Sequence, residues 1–120
     1  MKAKDALGRQ GEQIATSYLA DAGFLILERN WRCVHGEIDV ICRDSLDTVF
    51  VEVKTRSSTA FGHPFETITE QKLTRIRRLA GAWCEAHADQ RIGSIRIDVV
   101  SVLAPPGRLP LVEHLRGVFR

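Results

Sequence analysis

Two short runs constrain this fold most: Gly36-Glu37-Ile38-Asp39-Val40-Ile41 and Val49-Phe50-Val51-Glu52-Val53-Lys54. Each sets acids into apolar sequence that has to be buried, where an unpaired carboxylate is expensive. Successive side chains of a strand face opposite ways. Glu37 and Asp39 are therefore expected on one face of the first run, and Phe50, Glu52 and Lys54 on one face of the second, with Val49, Val51 and Val53 behind. A turn at Ser45-Leu46 joins the runs as an antiparallel hairpin and sets Asp39 across from Glu52. Cross-strand Cβ atoms lie roughly 4.5–5.5 Å apart, and two carboxylates at that separation repel. A divalent cation between them is the simplest relief, with Lys54 adding positive charge alongside.

The rest of the chain frames this hairpin. From about Ala6 to Ala22, the positions Ile14, Ala15, Tyr18, Leu19 and Ala22 recur at helical spacing, and Gly23 is a good stop. Phe24 to Glu28 suits a short strand. Ser57 to Phe65, with Gly62 and Pro64, reads as a loop near the site. A second helix starts at an N-cap Thr69 and carries an apolar stripe of Leu73, Ile76, Ala80, Trp83, Cys84 and His87. Ser94 to Leu103 reads as a buried strand, Pro105-Pro106-Gly107 breaks the chain, and Leu111 to Phe119 is open between strand and short helix. The order of helix, three strands, helix and strand predicts an α/β fold with a mixed sheet covered on both faces.

Several function classes are excluded early. At 120 residues, 44% hydrophobic, residues 1–120 are expected to form one domain. No apolar run approaches the roughly 18 residues of a membrane span, and no signal-peptide core follows Met1, so cytoplasm is the expected location. Three cysteines, Cys33, Cys42 and Cys84, argue against a disulfide framework. Cys33-x-His35 and Cys84-x-x-His87 each have the form of half a zinc site without its second half, so core packing is the expectation for Cys42 and Cys84. A net charge of +2 does not by itself indicate nucleic acid, but Lys72, Arg75, Arg77 and Arg78 gather in one helix. Alone they read as a solvated face; beside an acidic metal centre they read as phosphate contacts.

An acid followed a dozen residues later by Glu-x-Lys resembles the active-site motif of restriction-endonuclease-like nucleases. The wider pattern is similar to the small bacterial YraN family: Gly8-x-x-Gly11-Glu12, Arg29-Asn30-Trp31-Arg32, Gly36-Glu37-Ile38-Asp39, Val49-Phe50-Val51-Glu52-Val53-Lys54-x-Arg56 and Phe61-Gly62-x-Pro64. That resemblance implies a three-layer α/β/α restriction-endonuclease-like fold with a central mixed sheet, related to the archaeal Holliday-junction resolvases. It also implies that Glu12 completes the metal shell from the first helix.

Asp39, Glu52 and Lys54 are the expected catalytic set, with Asp39, Glu52 and Glu12 as metal ligands. Oxygen donors without His or Cys favour a hard cation, Mg²⁺ or Mn²⁺, which polarises a phosphate and activates water. Glu37 is expected as an outer ligand or only a turn acid. Gln71 and Lys72 at a helix start, with Arg56, Arg75 and Arg78, are the expected nucleic-acid contacts. Asp98 reads as structural, Trp31 as a base-stacking or core residue, and His35, His63 and His114 have no assigned role. The expected activity is metal-dependent endonucleolytic hydrolysis of DNA, with branched DNA and a homodimer as the matching substrate and assembly. The alternatives are a non-catalytic nucleic-acid-binding module and a protein adaptor.

Overall fold

A computed structural model describes residues 3–58 and 69–119. Helix α1 (Ala3–Asp21) is followed by strands β1 (Leu25–Cys33), β2 (Gly36–Asp44) and β3 (Asp47–Arg56). Helix α2 (Glu70–Ala86) then leads to β4 (Ser94–Leu103) and β5 (Leu111–Phe119). The five strands form one sheet in chain order, with every neighbouring pair antiparallel except β3 and β4, which are parallel. The parallel pair needs a long crossover, and α2 lies within it.

Two cores lie on opposite faces of the sheet. Ala15 and Leu19 of α1 pack with Val40, Cys42, Val49, Val51, Val100 and Val102. Ile76, Leu79, Ala80 and Trp83 of α2 pack with Ile38, Ile41, Phe50 and Ile97. The expected three-layer α/β/α architecture is therefore present, and Cys42 is buried in the first core. Helix α1 ends in a Schellman motif: the Gly23 N–H reaches the Ala20 carbonyl and the Phe24 N–H the Leu19 carbonyl. Thr69 caps α2 by accepting the Lys72 N–H at 3.2 Å. The tail resolves as a strand because its backbone pairs with β4, from Leu103↔Leu111 to Ile97↔Phe119. Residues 59–68, which include most of the expected loop with Phe61, Gly62, His63 and Pro64, lie outside the described residues. No described helix is long and apolar enough to cross a membrane.

One departure from simple alternation decides the geometry of the site. The hairpin register is the expected one, Val40↔Val51 and Ile41↔Phe50, closing at Asp44↔Asp47. Yet Ile38 and Ile41, three residues apart, both join the α2-side core, while Val40 faces α1. Strand β2 thus changes face at Asp39. Its partner strand is irregular as well, with a bulge between Ile26 and Glu28 and a left-handed Asn30 at φ 52°. Glu37 and Asp39 nevertheless turn their carboxylates to a common site, as expected of them.

Candidate metal centre

The change of face brings three acids from two elements together. Carboxylate oxygens of Glu12 on α1 and of Glu37 and Asp39 on β2 all lie within 4.8 Å of one another. The Asn30 amide nitrogen donates to Glu12 Oε2 and to Glu37 Oε1, each at 2.9 Å, and so fixes both side chains from β1. Close approach of α1 to the sheet depends on Gly11, where a Cβ would fall inside the Thr55 side chain of β3. Gly8, one turn earlier, has nothing within 4 Å of its Cβ position and plays no such part.

Asp39 sits where β2 and β3 part. Cross-strand pairing stops at Val40↔Val51, and Asp39 Oδ2 instead accepts the Val53 N–H at 2.8 Å. Glu52, expected directly opposite Asp39, turns to the α2 side. Its carboxylate meets Lys54 Nζ at 3.4 Å and Arg75 Nη2 at 3.7 Å, outside the three-acid group. Glu37 joins Glu12 and Asp39 in the acid group, while the charge of Glu52 still acts on Asp39 more strongly than that of Glu12 or Glu37.

The electrostatics of the group are strongly perturbed. Burial, and then the charge of Glu52, pushes the Asp39 carboxyl up from 3.8 to about 8; Glu12 and Glu37 add to the rise and the Val53 N–H opposes it. Compensating positive charge within the acid group is weak: Arg32 pairs with Glu37 at 2.9 Å, but its side chain is 78% exposed. Oxygen-only donors in this arrangement fit a hard divalent cation. Among the described residues no other group of three or more His, Cys, Asp or Glu side chains has this spacing, so the cysteine–histidine half-sites stay unconverged.

On the α2 side the charge balance reverses. Lys54, Lys72 and Arg75 surround the single carboxylate of Glu52, and the Lys54 charge, followed by desolvation, pulls the Lys72 ammonium below its ordinary range. Gln71, Arg75 and Arg78, with Glu70 and Thr74, line an open groove of about 350 Å³ along the first half of α2. Arg56 is half-buried at the end of β3. Trp31 packs against the α2-side core, edge-on to His87, rather than standing free to stack on a base.

A second polar cluster escaped the sequence reading. Asp98, fully buried on β4, receives two hydrogen bonds from Arg96 at 2.9 Å and one from the Gly117 N–H at 2.9 Å. His114 Nε2 lies 2.7 Å from its Oδ2, and His114 Nδ1 lies 3.0 Å from the Tyr18 hydroxyl. Burial would raise the Asp98 carboxyl; the His114, Arg96 and Gly117 hydrogen bonds together outweigh it and hold the group down at about 2. An ionised carboxylate accepts only, so His114 carries its proton on Nε2. The available signal was an acid inside an Ile/Val strand, which cannot be left unpaired. Arg96, two residues back on β4, is a partner that local spacing offers; His114 and Gly117 come from β5, and no local spacing reveals them.

Comparison with known proteins agrees with the motifs. The model of the uncharacterised protein family UPF0102 matches residues 11–102, a span that contains Glu12, Glu37, Asp39, Glu52 and Lys54. A UPF0102 protein of Arthrobacter sp. (strain FB24) is 52% identical over 118 residues, covering 98% of this chain and 99% of its own. One from Beutenbergia cavernae is 53% identical over 118 residues, with the same coverage. One from Streptomyces coelicolor is 49% identical over 119 residues, covering 98% of this chain and 92% of its own. With a family match over most of its length and relatives that align nearly end to end, the chain belongs to the UPF0102 family, the YraN family that its motifs resemble.

Proposed function

We propose that this protein is a divalent-metal-dependent phosphodiesterase that cuts DNA, with branched DNA as its preferred form. The observation that carries this reading is the juxtaposition of three converging carboxylates with a surplus of ammonium and guanidinium groups across the same strand pair. Glu12, Glu37 and Asp39 would hold Mg²⁺ or Mn²⁺, with Glu52 the adjoining carboxylate. When bound, such an ion supplies Lewis-acid polarisation of the phosphodiester.

The chain's own groups account for the remaining needs of the reaction. The Val53 N–H holds the Asp39 carboxylate in position, and Asn30 does the same for Glu12 and Glu37. Lys54 carries the positive charge placed to offset charge developing on the phosphoryl oxygens. Lys72 and Arg75 share one carboxylate with it and are left with net positive charge for neighbouring phosphates. Arg78 and Gln71 extend that surface along α2. Four-way DNA presents two strands related by a two-fold axis, and cutting both calls for two copies of the chain.

Incubation of the purified chain with labelled linear, flapped and four-way DNA, in Mg²⁺ or Mn²⁺, tests the proposal. Cleavage is expected, and Asp39→Asn or Lys54→Ala should reduce it at least a hundredfold while leaving DNA binding within about threefold. Binding should weaken steeply with salt, and Arg75→Ala with Arg78→Ala should lower both its strength and its salt slope. No cleavage of any of these substrates, together with intact salt-sensitive binding, would replace this reading with a binding module that retains the fold.

A further inference from the structure

A second charged site lies at the opposite end of the hairpin. A pocket of about 250 Å³ is lined by Arg43, Ser45, Leu46, Arg91 and Gly93, where the β2–β3 turn meets the segment between α2 and β4. We propose that this pocket binds a phosphoryl oxyanion between the Arg43 and Arg91 guanidiniums.

Four observations converge on it. Arg43 Nη2 donates to the Arg91 carbonyl at 2.7 Å, which ties the end of β2 to the segment before β4. Arg43 Nε is buried and has no hydrogen-bond partner; no other buried side-chain nitrogen or oxygen among the described residues is left so. It marks an arginine whose donors the fold leaves incompletely used, although that nitrogen itself is out of solvent's reach. No carboxylate among the described residues pairs with either guanidinium. Those flanking the turn, Asp44 and Asp47, are held on the opposite face by Arg96, at 2.9 and 3.3 Å. Two arginines that no described carboxylate neutralises line one pocket, and the forked donors of a guanidinium suit a planar or tetrahedral oxyanion.

The backbone is shaped for the same purpose. Ser45 takes the first central position of the Asp44–Asp47 turn at φ 56°, where glycine is the unstrained choice. That strained residue is one of those lining the pocket. Gly93, at φ 67°, is pressed against the Leu46 carbonyl so closely that a Cβ would overlap it. Any side chain there would part the loops and open the pocket. Arg43 is four residues along β2 from Asp39, about 13 Å at the rise of a strand. A single phosphate cannot touch both centres, so this site is independent of the acid cluster and does not rest on the proposed nuclease activity.

Inorganic phosphate titrated into the ¹⁵N-labelled full chain, against sodium chloride at equal ionic strength, is the test. Saturable shifts of the Ser45, Leu46 and Gly93 amides are expected with phosphate alone. Arg91→Gln, whose side chain is exposed, should weaken the response at least tenfold without disturbing the remaining spectrum; Arg43→Gln should abolish it. Shifts that rise linearly, match those in chloride, or persist unchanged in Arg91→Gln would overturn the proposal. The same Arg91→Gln chain, assayed for DNA binding, identifies the source. A severalfold loss with a reduced salt slope assigns the pocket to a backbone phosphate; unchanged DNA affinity assigns it to a free phosphate compound.

Discussion

Asp98 and Asp39 are both carboxylates on the central strands, and their surroundings drive them in opposite directions. Asp98 is held down at about 2 against an ordinary 3.8. Between those values the folded chain binds fewer protons than the unfolded one. The stabilisation is therefore full above about pH 4 and is lost as pH falls through 2, an amount on the order of 2 kcal/mol. Asp98→Asn removes the buried charge and replaces one of the two oxygens that Arg96 bonds with a donor nitrogen, and should cost about 3 kcal/mol in a urea titration at pH 7. Asp39 has the reverse sign. With its carboxyl raised from 3.8 to about 8, the folded chain holds the extra proton, and stability without divalent cations should decline as pH rises from 4 towards 8. Asp39→Asn removes that decline. In EDTA at pH 8 the variant should be more stable than wild type by on the order of 1–3 kcal/mol, a gain that a purely structural Asp39 would not show. Arg96 lies two residues from Asp98, but His114 and Gly117 reach it from β5, so the part His114 plays is not visible in local sequence.

Among the elements, the hairpin was the most legible. Alternating Val49, Val51 and Val53 with a two-residue turn gave the register that β2 and β3 adopt. What strict alternation hid was the change of face at Asp39, because it is produced jointly with an irregular β1, whose bulge and left-handed Asn30 carry no period of their own. The three-acid group forms beside that change, and it includes Glu37, which the sequence offers only as an outer ligand or a turn acid. Helix α2 was legible from its stripe and its N-cap, whereas Leu111 to Phe119 was settled only by pairing with β4. Beside the core packing of Ala15 and Leu19, the close approach of α1 to β3 requires Gly11. Gly11→Ala should force the helix off Thr55, cost about 1–3 kcal/mol, and weaken divalent-cation binding by carrying Glu12 away from Asp39. Gly8→Ala, with open space around it, should instead stabilise α1 by about 0.5–1 kcal/mol and leave cation binding unchanged. Thermal melts and Mn²⁺ titrations on the two variants separate a packing requirement from a general dislike of substitution in that helix.

Across the whole molecule, charge is partitioned along the hairpin. Acids converge where α1 meets the end of the β2–β3 pairing, cations surround Glu52 on the α2 side, and two further arginines meet at the far turn. The sheet between them is sealed on both faces by apolar cores, so neither chemistry is available through the interior. Such a distribution gives the fold little stability of its own: the acid cluster repels itself, and the cations share one partner. A bound divalent ion makes sense of the first imbalance and a phosphate chain of the second. Calorimetric titration of Mn²⁺ into wild type, Asp39→Asn, Glu37→Gln and Glu52→Gln decides the first most directly. One saturable site is expected in wild type, at least tenfold weaker in Asp39→Asn and Glu37→Gln, with a smaller loss in Glu52→Gln. A wild type that shows no saturable heat, or one indistinguishable from Asp39→Asn, would contradict the account.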